Sequence, residues 1–208
     1  MHAIIKVAAG AAILSTAAVL ARRGIGAAQP AVPPQTPQPQ FTPDGRLIRP
    51  TGYEEWVMVG ASTGLSYAQA QNPPAAGAAP GMFHNVYLQP WAYRYAMEHR
   101  AFPENAMFVL TFYEPSRKSN PARSGFYEGQ RIPGFEVHLK RKDVDSTGWG
   151  FYGFGSDTTS SSAKMPGSAA CYSCHKTEAA FDNAFVQFYP ALRAQLLQKP
   201  DSLLRSAQ

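Results

Sequence analysis

Cys171-Tyr172-Ser173-Cys174-His175 contains both cysteines of this 208-residue chain, and no other feature restricts its architecture as much. Two thiols three positions apart on one helical turn, followed at once by a histidine, have the spacing that attaches a c-type haem. The thiols bond to the two porphyrin vinyl groups, and the histidine supplies the proximal iron ligand. The body of the protein must then wrap a flat tetrapyrrole. Competing uses of the pair fit less well. Zinc would need two further ligands, and none of His84, His99 or His138 stands at a finger-like spacing. A thioredoxin-like dithiol follows an early strand in a βαβ pattern, whereas this pair comes late. A disulfide across so short a loop contributes little. One haem c, bonded through Cys171 and Cys174 and ligated by His175, is therefore expected.

Such a group is installed outside the cytoplasm, and the amino terminus reads as an export signal. Lys6 precedes the apolar run Val7 to Ala21, and small residues follow, with Gly26-Ala27-Ala28 or Val19-Leu20-Ala21 as cleavage sites. Arg22 and Arg23 resist translocation just past the apolar run, so an uncleaved anchor stands as the alternative. Both versions of residues 1–28 place the rest of the chain in the periplasm. Without Lys6, Arg22 and Arg23 the formal net charge falls from +5 to about +2. No basic stripe of a nucleic-acid binder is present. Residues 29–44 form a linker, opening with the proline- and glutamine-rich Gln29 to Gln40, and residues 45–208 form one domain. Gln69 to Gly81, rich in alanine and proline, reads as a surface loop.

Short strand-like runs dominate that domain: Tyr53 to Val59, Phe83 to Leu88, Met107 to Tyr113 closed by Pro115, Phe135 to Leu139, Trp149 to Phe154 and Phe185 to Tyr189. Helices are expected from Pro90 to before Pro103, through the cysteine motif, and over Ala191 to Gln198. Parallel βαβ alternation is absent, so the fold class is α+β, mainly antiparallel sheet with a few helices. The haem is expected between the sheet and the carboxyl-terminal proximal helix. A late motif excludes the common small cytochromes c, and the glycine, proline and aromatic content excludes a four-helix bundle.

The run Gly52-Tyr53-Glu54-Glu55-Trp56, Phe83-His84-Asn85-Val86-Tyr87, Phe102-Pro103, Gly148-Trp149-Gly150-Phe151, the cysteine motif and the tail Asp182-Asn183-Ala184-Phe185-Val186-Gln187-Phe188-Tyr189-Pro190 together resemble the cytochrome P-460 family, which includes the cytochromes c-prime-beta. The resemblance implies a β-sheet on one haem face, the proximal helix on the other, often a homodimer, and chemistry on hydroxylamine or nitric oxide. It also implies, in the true P-460 enzymes, a lysine bonded to the porphyrin. Here the matching strand Met107 to Tyr113 has no lysine; Thr111 falls at or near the position, and Lys118 lies beyond Pro115. The cross-link is not carried over.

Candidates for the distal side are Glu136 and His138 on one strand face, His84 on another strand, and Met165 near the motif. Phe108, Phe112, Trp149, Phe151, Phe185 and Phe188 could wall a dry pocket that favours neutral diatomics. Asp182 or Asn183 could accept the Nδ1 proton of His175. Arg117, Arg123 and Arg131 are candidates for propionate pairing. Three functions follow: a periplasmic mono-haem cytochrome that binds or reacts with nitric oxide or related nitrogen species; a hydroxylamine-oxidising or peroxidative enzyme with Glu136 as its candidate catalytic carboxylate; or an electron carrier working with a redox partner protein. No nucleic-acid partner is expected.

Overall fold

The computed structural model describes residues 38–65, 79–117, 121, 123–143 and 146–198. The segment 1–28, most of the linker, Gln69 to Ala78 of the alanine-rich stretch and Lys118 lie outside them. The elements run β1 (Leu47–Ile48), β2 (Val57–Thr63), β3 (Phe83–Leu88), α1 (Pro90–His99), β4 (Met107–Ser116), β5 (Tyr127–Lys140), β6 (Trp149–Phe154), β7 (Ser161–Ser162), α2 (Ala170–Glu178) and α3 (Pro190–Leu196). Strands β2 to β6 form one antiparallel sheet in chain order, and β1 pairs with β7 in a second, two-stranded sheet. The α+β class is as the sequence indicates.

Side-chain alternation divides the large sheet into two working faces. Met107 and Val109 of β4, Phe135, Val137 and Leu139 of β5, and Tyr152 and Phe154 of β6 share one core with Leu47, Tyr53 and Trp56. On the opposite face, Leu88, Phe108 and Trp149 pack with Ala92 and Ala96 of α1, Leu192 and Leu196 of α3, and Val186. Because both faces of β4 are covered, residues 107–110 are apolar without a break. Pro90 fills the first turn of α1, where its missing N–H costs nothing, and Arg100 ends the helix in the left-handed region at φ 53°. Within the predicted linker, the Gln40 carbonyl accepts the Ile48 N–H at 2.8 Å and Phe41 bridges to Leu47.

Two expected strands are turns of 3₁₀ helix. Tyr53–Glu55 is such a turn, and β2 starts only at Val57. Its three-residue repeat puts Tyr53 and Trp56 into the same core, which mimics a buried aromatic strand in sequence. Val186–Phe188 is also 3₁₀: the Phe188 N–H bonds the Phe185 carbonyl at 2.8 Å and the two rings stack at 5.7 Å. Pro115 does not end β4, because a register shift between Tyr113 and Pro115 accommodates the missing donor.

Midway along β5, Asp157 accepts from the Gly134 N–H (3.1 Å), Arg49 (3.1 Å) and Arg131 (2.5 Å). Those donors hold its carboxyl down to about 2, the Gly134 amide contributing most. A carboxylate more acidic in the folded than in the unfolded chain stabilises fully above the ordinary aspartate value and loses that contribution as pH falls through its folded value. Asp157→Asn should thus cost about 1 kcal/mol at pH 7, discounted for a half-exposed side chain. The urea midpoint of the variant should fall less than that of the wild type between about pH 4 and pH 2.

Candidate functional site

Helix α2 is docked by Tyr172, which is buried, meets Phe151 edge-on at 4.8 Å and donates its hydroxyl to the Met165 carbonyl at 3.2 Å. With that residue turned into the protein, Ser173 faces solvent, and Cys171, Cys174 and His175 all line one cavity. Both thiols are free. Cys171 Sγ lies 3.7 Å from Met165 Sδ, and burial, with a further contribution from the Glu136 charge, pushes its thiol up. Met165 therefore belongs to the thiol end of the cavity.

His175 Nδ1 lies 2.7 Å from the backbone carbonyl of Asn183. A carbonyl can only accept, so Nδ1 carries the proton and Nε2 is the basic nitrogen left for a metal. Sequence reasoning had offered the side chains of Asp182 or Asn183 for this bond; the acceptor is main chain instead. The Asn183 side chain points its amide at the Thr147 carbonyl (3.5 Å), while Asp182 accepts from Lys140 and Trp149. Rings pack on His175 from Phe185 (4.4 Å), Phe151 (4.6 Å) and His138 (4.7 Å). Burial lowers the imidazole pKa, which keeps it neutral and ready to donate.

Glu136 and His138 both face the cavity, as their spacing on β5 predicts, and so does His84 from β3. Their environments differ. His138 is fully enclosed, stacked on Phe151 at 4.2 Å and 10°, with Trp149 also at 4.2 Å, and its Nε2 has no hydrogen-bond partner. Burial first, then the neighbouring His175, holds its pKa well below the usual imidazole value. It packs beside the His175 imidazole. Glu136 is accessible through the open cavity but surrounded by protein, which raises its carboxyl above the usual range. Burial lowers His84, which meets Phe112 edge-on at 5.2 Å.

The cavity measures about 410 Å³. Of the six aromatic residues expected to wall it, Phe108, Phe151, Phe185 and Phe188 do so; Phe112 and Trp149 do not. Leu110, Val86 and Leu65 complete the apolar wall, and none of them carried a distinguishing sequence signal. Thr111 is fully buried away from the cavity, its hydroxyl without a partner, and β4 presents Phe108 and Leu110 there instead. A leucine offers no nucleophile for a porphyrin cross-link. None of Arg117, Arg123 and Arg131 lines the cavity: Arg117 stacks on Phe126 at 4.1 Å, Arg123 is exposed and Arg131 serves Asp157.

Two glycines shape the walls. A Cβ on Gly153 would stand 3.0 Å from Met165 Cε, so Gly153 makes room for the methionine. A Cβ on Gly60 would stand 2.7 Å from the Tyr189 ring and 3.0 Å from the Phe188 carbonyl. Gly60→Ala should displace the Val186–Phe188 turn and cost about 1–3 kcal/mol, read as a lowered urea midpoint.

The donor set fits an iron porphyrin: two free thiols and an imidazole with its Nδ1 proton already committed, all on one cavity whose remaining walls are mostly apolar. Among the described residues no cluster of three or more histidine, cysteine or acidic side chains is poised for a bare metal ion. A search of curated proteins returned no match. A comparison with protein families matched residues 50–186, more than half of the sequence, to Cytochrome P460. With that match and a cavity suited to the family's cofactor, the chain belongs to the cytochrome P460 family of haem-binding cytochromes.

Proposed function

We propose that this chain is a periplasmic mono-haem c-type cytochrome that binds, or reacts with, nitric oxide or a related small nitrogen species. In this proposal Cys171 and Cys174 hold the porphyrin through thioether bonds and His175 Nε2 ligates the iron. The observation that carries it is the cavity itself, where thiols and imidazole share one space with Phe108, Leu110 and Val86. Bound haem supplies an iron site for a diatomic ligand and for electron exchange. The protein's part is to hold His175 neutral and singly protonated at Nδ1, to keep water off apolar walls, and to offer few charges. An uncharged diatomic loses little on entering such a space, whereas an ion loses its hydration without a partner. Export by residues 1–28, a redox partner protein and a homodimer belong to the same proposal.

One observation favours a second reading, the hydroxylamine-oxidising or peroxidative enzyme. Among the described residues Glu136 is the sole acidic side chain on the cavity wall, and its raised pKa suits it to hold and release a proton there. Against the known P-460 form of that chemistry stands Leu110, which offers no cross-link. The electron-carrier reading needs a second strong axial ligand. His84 is the cavity histidine not packed on His175, whereas Met165 sits beside a thiol.

The absorption spectrum of the ferrous protein separates these readings. Carbon monoxide and nitric oxide should each shift the Soret band of the wild type. A low-spin spectrum indifferent to both gases would defeat the gas-binding and enzymatic readings together, and turnover of hydroxylamine with an electron acceptor would establish the enzyme. Acidic acetone should fail to extract the porphyrin from the wild type and should extract it from Cys171→Ala/Cys174→Ala.

The reduction potential should also titrate. As pH rises through the elevated Glu136 value, a negative charge appears on the cavity wall and stabilises ferric over ferrous iron, so the potential falls. Glu136→Gln should abolish that step and hold the potential at its low-pH level, a difference of about 1–2 kcal/mol. A wild-type titration step that survives in Glu136→Gln would assign the proton elsewhere.

A further inference from the structure

We propose that Lys140, Asp182 and Trp149 form a positioning device for the imidazole of His175, with Asp182 as the central positioning residue. This rests on His175 being the iron ligand. The critical contact is the 2.7 Å bond from Nδ1 to the Asn183 carbonyl, and what fixes that carbonyl is an unusual turn. Asp182 and Asn183 both occupy the left-handed region, at φ 45° and 56°. They are the two central residues of a turn closed by the Ala184 N–H on the Phe181 carbonyl at 2.8 Å. Aspartate and asparagine enter the left-handed region more readily than other non-glycine residues, yet two in succession leave the turn dependent on contacts that hold it.

Beside the long contact from the Asn183 amide to the Thr147 carbonyl at 3.5 Å, the surroundings hold the turn chiefly through one carboxylate. Lys140 Nζ lies 2.8 Å from both oxygens of Asp182, and Trp149 Nε1 donates to Oδ1 at 3.2 Å. Lys140 and Trp149 are register partners, the last residue of β5 and the first of β6. Asp182 is therefore pinned to a cross-strand pair of the five-stranded sheet. The ammonium also sits 4.9 Å from the Trp149 ring centroid, so cation, indole and carboxylate brace one another. From the other side, the Trp149 ring abuts His138, which abuts His175. The sheet thus sets both where the imidazole lies and how strongly its Nδ1 proton is held. A firmly held Nδ1 proton makes Nε2 the stronger donor to iron.

The test compares Asp182→Asn, Lys140→Met, Lys140→Arg and Trp149→Phe in the haem-loaded full chain. It reads the iron–histidine stretching frequency of the ferrous protein, photolysed from its carbon monoxide complex, together with the reduction potential. Positioning predicts that Asp182→Asn and Lys140→Met both lower the frequency and both raise the potential, because each releases the turn and weakens the donor. Lys140→Arg should keep the wild-type values. Trp149→Phe, which removes only one donor, should give a smaller shift of the same sign and serves in place of Asp182→Asn should that variant not fold.

A simple charge effect would move the potential in opposite directions in Asp182→Asn and Lys140→Met with the frequency unchanged, and would overturn the inference. So would lowered denaturation midpoints with neither spectroscopic quantity altered. The underlying ligand assignment fails separately: a wild type with no iron–histidine vibration, or one retained in His175→Ala, refutes His175 itself.

Discussion

Along β5, Phe135, Val137 and Leu139 turn into one core while Glu136 and His138 turn the other way, and the placement of every other element follows from that two-residue period. The apolar side must be covered, and Tyr53, Trp56 and Leu47 cover it. The other side cannot become an ordinary core, because it carries a carboxylate and an imidazole in neighbouring rows. Its rows are set by pairing: Leu88, Phe108, His138 and Phe151 stand side by side across four strands, with Val86, Leu110, Glu136 and Gly153 in the next. A one-residue slip of β5 would bury Glu136 beneath Trp56 and remove His138 from beside His175.

Helices on that mixed face are divided accordingly. Helices α1 and α3 bring Ala92, Ala96, Leu192 and Leu196 against Leu88 and Phe108, where the sheet is apolar. Helix α2 buries only Tyr172 and turns thiols and imidazole toward the cavity. A nine-residue helix with one buried side chain is too short to be stable alone. Its position comes from Tyr172 on Phe151 and from the turn at Asp182 and Asn183, which the sheet anchors through Lys140 and Trp149. Left-handed backbone costs aspartate and asparagine less than most residues, and the paired, partly buried Asp182 carboxylate helps to hold it.

Much of this architecture was legible in the sequence, and the exceptions have physical causes. Strand β3 carries its own alternation and β6 its run of aromatic residues between glycines, so Phe83–Leu88 and Trp149–Phe154 are read directly. Tyr53–Glu55 and Val186–Phe188 were misread because aromatic residues three apart can satisfy a 3₁₀ turn as well as a strand. Glu136, His138 and His84 were legible as cavity residues because alternation reports a shared face. Thr111 shows the limit: whether it or Leu110 faces the cavity depends on strand parity, and β4 meets β5 with two register shifts that sequence does not announce. The Asn183 acceptor was beyond reach for another reason, since a backbone carbonyl is present at every residue. The Lys140–Asp182 pair joins residues far apart in sequence, visible only once β5 and the turn are brought together.

The electrostatics of the cavity complete the synthesis. Burial disfavours whichever form of a group is charged, so it lowers His84, His138 and His175 and raises Glu136. These three imidazoles are thereby held neutral at neutral pH, and Glu136, the one carboxylate on the cavity wall among the described residues, is made less acidic. Lys140, whose charge reaches His138, is committed to Asp182. The wall consequently presents little fixed charge to whatever enters, apart from what Glu136 carries when ionised. An anionic ligand would gain no compensating partner from the described lining residues, whereas a small neutral one would meet rings and aliphatic side chains, with the Glu136 carboxyl among them. Selection by charge, not by shape alone, is what this arrangement of residues is suited to perform.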